Sequence, residues 1–249
     1  LNTDVHCHFD QLPVELLVKE IEKNRVVAVA VDYNSGEKLL EYKKIYKNLN
    51  ICLGIHPEYP EKYDDYEKVE RQIRENTQYI SGIGEIGMPY FNLPGLENNK
   101  EREKVLEKAG IIFVKFLKLA AELKLPVNLH CIENSGEYAV RKLEKYNIKK
   151  ALFHWFEGEE KTLESIKENG WNISISPDVI YNKKYEDFVR KIPLEIITLE
   201  SDGPWEYGGK TGVPSMVEKT AEFLASVYKK SKEEILIISN KNADILFNL

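Results

Sequence analysis

Short, unbroken apolar runs alternate along the chain with longer segments in which apolar residues recur at helical spacing. Eight runs stand out, at residues 3–9, 26–31, 51–54, 80–84, 127–130, 151–154, 172–176 and 196–199. They are rich in Val, Ile and Leu and show no regular polar alternation, as expected of parallel strands covered on both faces. Helical stretches lie between them at 13–23, 37–48, 66–76, 98–123, 135–146, 159–169, 185–191 and 215–228, and two more, 232–239 and 242–247, close the chain. In the longest, Val105, Leu106, Ala109, Ile112, Phe113, Phe116 and Ala120 keep one apolar face. Eightfold β–α alternation predicts a single (β/α)8 TIM barrel over residues 1–249. A doubly wound open sheet is the alternative. The glycine-rich stretch 203–214 is expected to be a functional loop after the eighth strand.

Composition narrows the setting. The length of 249 residues suits one barrel, and 43% hydrophobic with 31% charged residues describes a globular chain. A net charge of −6 argues against an extended nucleic-acid-binding face. Metal ions at the strand ends would still supply positive charge for one or two phosphates. Three cysteines, Cys7, Cys52 and Cys131, predict a reducing, cytoplasmic setting and no disulfide framework. No basic segment followed by an apolar core opens the sequence, and no apolar run reaches the roughly 18 residues of a membrane span, so neither leader nor membrane anchor is expected.

The five histidines, His6, His8, His56, His130 and His154, all fall at or just beyond the C-terminal end of an expected strand. That end is the catalytic face of a barrel. His6 and His8 are two apart, so period-two geometry turns both into the barrel and Cys7 outward, which disfavours a Cys/His zinc finger. Glu85 ends the fourth strand within Gly82-Ile83-Gly84-Glu85, and a carboxylate there can bridge two metals through its two oxygens. Asp202, just past the eighth strand, is a candidate ligand and general base, with Glu200 placed to orient a ligand histidine. Imidazole and carboxylate together suit Zn, Mn, Fe or Ni, and also admit Mg.

These residues sit in segments that resemble the TatD family of metal-dependent hydrolases, in the amidohydrolase superfamily. Asp4-Val5-His6-Cys7-His8-Phe9-Asp10 is similar to its first-strand motif, Leu53-Gly54-Ile55-His56-Pro57 to its third and Gly82-Ile83-Gly84-Glu85-Ile86-Gly87 to its fourth. Pro126-Val127-Asn128-Leu129-His130, Leu152-Phe153-His154-Trp155-Phe156 and Leu199-Glu200-Ser201-Asp202-Gly203-Pro204-Trp205 resemble the fifth, sixth and eighth. The resemblance implies two divalent metal ions, one among His6, His8, Glu85 and Asp202, the other among Glu85, His130 and His154. It implies His56 as a phosphate contact or acid, acting with Asp202 and Glu85 in catalysis. The activity it implies is deoxyribonuclease cleavage at DNA ends by a two-metal-activated water. The alternative is ester or amide hydrolysis, such as that of a D-aminoacyl-tRNA deacylase, and a metal-stabilised binding protein without turnover is a third reading.

Two positions depart from the family pattern. Pro89 stands where the fourth-strand motif has Asp, and Ile132 where an Arg follows the fifth-strand histidine. Lys161, Lys183 and Lys210 are the candidates for other cations at the rim.

Overall fold

The computed structural model describes residues 1–90, 93, 98–131 and 135–249. Ile132 therefore lies outside the described residues. The barrel strands are β1 (Asn2–Cys7), β2 (Asn24–Val29), β3 (Leu49–Leu53), β4 (Gly82–Gly87), β5 (Val127–His130), β6 (Ala151–His154), β7 (Asn172–Ile175) and β8 (Ile197–Leu199). Each pairs in parallel with the next, in the order β1 to β8. Between them run α1 (Val14–Lys23), α2 (Tyr33–Ile45), α3 (Tyr66–Glu75), α4 (Asn99–Leu123), α5 (Ser135–Lys145), α6 (Glu160–Glu168) and α7 (Lys183–Val189). The expected TIM barrel is the observed architecture.

The seam between β8 and β1 is closed mainly by loop and side-chain hydrogen bonds. Asp202 N–H donates to His6 O at 2.9 Å, and His8 N–H donates to Gly203 O at 2.8 Å. Lower down, buried Asp4 accepts from the Ser201 amide at 2.9 Å and from its hydroxyl at 2.5 Å. The seam thus fixes Asp202 beside the two histidines of β1.

Alternate residues of the strands build two cores. Val26, Ala28, Ile51, Leu53, Val127, Leu129, Ile173 and Ile175 face outward and pack in the layer shared with the helices. Val5, Val27, Val29, Cys52 and Leu152 point inward and meet Ala243, Leu246 and Phe247 of the last helix. This plug closes the lower barrel, and the imidazoles and carboxylates of the strand ends converge above it at the upper mouth.

Several boundaries differ from expectation for identifiable reasons. The α2 helix starts four residues before the expected 37, because the Asp32 side chain accepts from Ser35 N–H and caps it. The end of the chain is one helix rather than two. After α8 (Val217–Tyr228), α9 runs unbroken over Lys232–Phe247 behind a Ser231–Glu234 capping box. The polar run Ser239-Asn240-Lys241-Asn242 reads as a break, yet its amides bond the strands. Asn240 Oδ1 accepts from Thr3 N–H at 2.8 Å, and Asn242 Nδ2 donates to Ile197 O at 2.7 Å. Within the 203–214 loop, β9 (Glu206–Tyr207) and β10 (Lys210–Thr211) form a small antiparallel hairpin. Among the described residues, no helix is long and apolar enough to cross a membrane.

Candidate metal centre

Two bulges aim the principal ligands. In β1, Asp4 pairs with Val26 but Cys7 pairs with Ala28, so three steps on one strand match two on the other. Such an extra residue re-aims the side chains beyond it. Val5 packs in the inner plug and Cys7 in the outer core, while His6 and His8 both turn inward above the plug. In β4 the same count holds, with Ile83 opposite Val127 and Ile86 opposite Leu129. Both isoleucines face outward, and Glu85 between them enters the barrel, fully buried. Gly84 makes this approach feasible, since a Cβ there would lie 2.7 Å from both Cβ and O of Asn128.

Glu85 is the hub. Its Oε2 lies 3.2 Å from His6 Nε2 and 3.4 Å from His8 Nε2, while its Oε1 lies 2.8 Å from His130 Nδ1 and 3.2 Å from His154 Nε2. Asp202 Oδ1 lies 3.5 Å from both His6 Nε2 and His8 Nε2. The six residues expected as ligands are thus brought together, each Glu85 oxygen facing a different pair of imidazoles. The His6 and His154 rings also stack at 3.8 Å, which places the two pairs side by side.

The donor chemistry fits a cation. His6 Nδ1–H donates to Asn128 Oδ1 at 2.8 Å, and Asn128 in turn donates to Val5 O at 3.2 Å, which fixes its amide orientation. In the neutral ring, His6 Nε2 then carries a lone pair. It faces the oxygens of Glu85 and Asp202, and both His6 Nε2 and Glu85 Oε2 are buried without a hydrogen-bond partner. Facing lone pairs repel unless a positive charge sits among them. Burial and His154 oppose protonation of His6, yet Glu85 and Asp202 prevail and hold its pKa up. His154 is held well above its usual range, because Glu200 and Glu85 outweigh burial. Glu85 is held well below the usual carboxylate range, because His56, His6 and His154 overcome burial. Burial pushes Asp202 up to about 6 against the pull of His154 and His6.

His56 differs from the other four. Glu58 N–H donates to its Nδ1 at 3.1 Å, so the neutral ring carries its proton on Nε2. That Nε2–H points toward Glu85 Oε2, 3.5 Å away. His56 Nε2 thus enters the site as a donor, although His56, Glu85 and His130 lie close enough to be grouped around one ion. Glu200 is fully buried behind His154, 3.4 Å from Nδ1, and its other oxygen accepts from Ser174 Oγ–H at 2.5 Å. Sequence reading placed Glu200 there but missed Asn128 and Glu58. Asn128 had a signal, because it sits two residues before His130 on the same inward face.

A cavity of about 800 Å³ opens above the cluster, walled by Tyr59, Trp155 and Trp205, with Glu157, Asp178 and Asn182 on one side. Lys161, Lys183 and Lys210 do not line it. Lys183 instead pairs with Glu186 and Asp187 on the exposed face of α7, Lys161 belongs to α6 and Lys210 to the hairpin strand β10. Pro89 is buried just past β4.

Imidazoles and carboxylates gathered at the C-terminal mouth of a (β/α)8 barrel define a metal-dependent hydrolase. Residues 3–248 match the family model described as TatD related DNase, and the chain belongs to the TatD family. An uncharacterized metal-dependent hydrolase of Haemophilus influenzae is 30% identical over 247 residues, covering 94% of this chain and 96% of that protein. Human deoxyribonuclease TATDN3 is 29% identical over 266 residues, covering 98% of this chain and 93% of its own. The crystal structure of YjjV, a TatD homologue from Escherichia coli, shares the fold with a TM-score of 0.86 at 22% identity, covering 100% of this chain and 98% of that one.

Proposed function

We propose that the chain hydrolyses phosphodiester bonds at DNA ends, using two divalent ions. The observation that carries this reading is the division of Glu85, with Oε2 toward His6 and His8 and Oε1 toward His130 and His154. Bound there, two ions would lower the pKa of a water and neutralise the phosphate oxygens. His6, His8, Glu85 and Asp202 would hold one ion, and Glu85, His130 and His154 the other. Asp202 enters from the cavity side, where its carboxylate would accept the proton of a water held there. His56 presents Nε2–H to a phosphate oxygen or to the leaving group. The name of the human relative, a deoxyribonuclease, supports the same bond type.

Hydrolysis of a carboxylic ester or amide is the second reading, and the cavity wall favours it. Among the described residues, no Lys or Arg lines the cavity, whereas Glu58, Glu157 and Asp178 do. A polyanionic substrate would meet these acids, of which Glu157 is paired with Lys184 at 2.6 Å, and the expected phosphate-gripping Arg is replaced by Ile132. Assay of the metal-loaded protein on an end-labelled oligonucleotide, an aminoacyl ester and an amide separates the two. Ile132→Arg is expected to raise oligonucleotide turnover several-fold and leave ester turnover unchanged. No gain on the oligonucleotide, with the fold preserved, would turn the assignment toward esters.

A further inference from the structure

Glu58 follows the His56-Pro57 pair in the loop after β3, and it is only 6% exposed. A buried carboxylate needs partners. Its Oε1 accepts from the Tyr90 amide and lies 3.4 Å from His130 Nε2. The other ring nitrogen of His130, Nδ1, lies 2.8 Å from Glu85 Oε1. His130 is therefore held between two carboxylates, one on each nitrogen. The loop that carries Glu58 is itself tied down, because Tyr63 OH donates to Pro57 O.

A neutral imidazole has one N–H and one lone pair, and the partner of one nitrogen sets the role of the other. We propose that Glu58 is a positioning residue that accepts Nε2–H of His130 and so leaves Nδ1, beside Glu85 Oε1, as the lone-pair donor to the second divalent ion. The proposal rests on the two-ion reading above. Carboxylates behind a ligand histidine fix its tautomer and raise its basicity. Glu200 stands in the same relation to His154, with 3.4 Å between its Oε1 and Nδ1. Both histidines on the Oε1 side of Glu85 thus have a buried carboxylate behind them, whereas His6 has the neutral Asn128.

The asymmetry makes the effect specific to one ion. Glu58→Gln keeps an oxygen for Tyr90 and His130 but removes the charge, and Glu58→Met removes both. The test strips each protein with a chelator, titrates in Zn²⁺, and reads ion affinities and bound metal per chain. Glu58→Met is expected to weaken the second ion by about 10–100-fold, with Glu58→Gln intermediate and the first ion unchanged. If Glu58→Met does not fold, Glu58→Gln decides alone. Wild-type affinity for the second ion in the folded variants, or an equal loss at both ions, would overturn the assignment. A wild-type protein that binds only one ion would overturn the two-ion reading and this inference with it, so the two failures are distinguishable.

Discussion

Glu85→Ala is expected to empty the centre of both ions and bring hydrolysis down to background. Glu85 is fully buried, and each of its oxygens faces a different imidazole pair within 3.4 Å. Removing it takes away the negative charge that both ions would share. It also leaves His6 and His154 stacked at 3.8 Å with less anionic charge beside them, so each ring holds a positive charge less firmly, with only Asp202 and Glu200 left to favour it. Partners behind a ligand typically change metal affinity by about 10–100-fold, and a shared ligand should cost more than that at both ions. The measurement is bound metal per chain after reloading, read together with turnover. Two ions retained at wild-type affinity would show that Glu85 does not bridge.

Asp202→Asn is expected to lower kcat by about 10²–10⁴-fold, as removal of a general base does, while at least one ion stays bound. The substitution is clean for local reasons. Asp202 has φ of 47°, a left-handed conformation that Asn also tolerates. Its backbone N–H bond to His6 O, part of the barrel seam, does not depend on the side chain. The amide keeps one oxygen near the His6 and His8 Nε2 atoms but loses the negative charge and the capacity to take a proton, so the readout is taken at saturating metal. Single-turnover kinetics at saturating metal read this directly. Near-normal kcat there would move the base to another group.

Much of this is legible in the sequence alone. The unbroken run at β2 and the eightfold alternation carry the barrel, because strands buried on both faces cannot alternate. Five histidines at strand ends carry the location of the site. The aim of the side chains was less visible. The bulges in β1 and β4 decide that Val5 and His6 both face inward and that Glu85 reaches the hub, and a bulge leaves no mark in a strict two-residue period. The union of the last two helices into α9 was hidden because Asn240 and Asn242 look like breakers, and only the strand ends they bond explain them. Glu58 was hidden for a similar reason. It follows a proline in a loop, and its partners His130 and Tyr90 come from distant positions in the chain. The lysines considered for the rim do not line the cavity, because a positive charge in sequence says nothing about which face of a helix or hairpin carries it. Lys183 spends its charge on Glu186 and Asp187.

The most direct test of the central claim is a metal titration of the chelator-stripped protein, with hydrolysis of an end-labelled oligonucleotide followed at each step. No turnover is expected without metal, and turnover is expected to return as Mn²⁺ or Zn²⁺ is added and to saturate at two ions per chain. Turnover that persists in the stripped protein, or that saturates at a single ion, would contradict that claim.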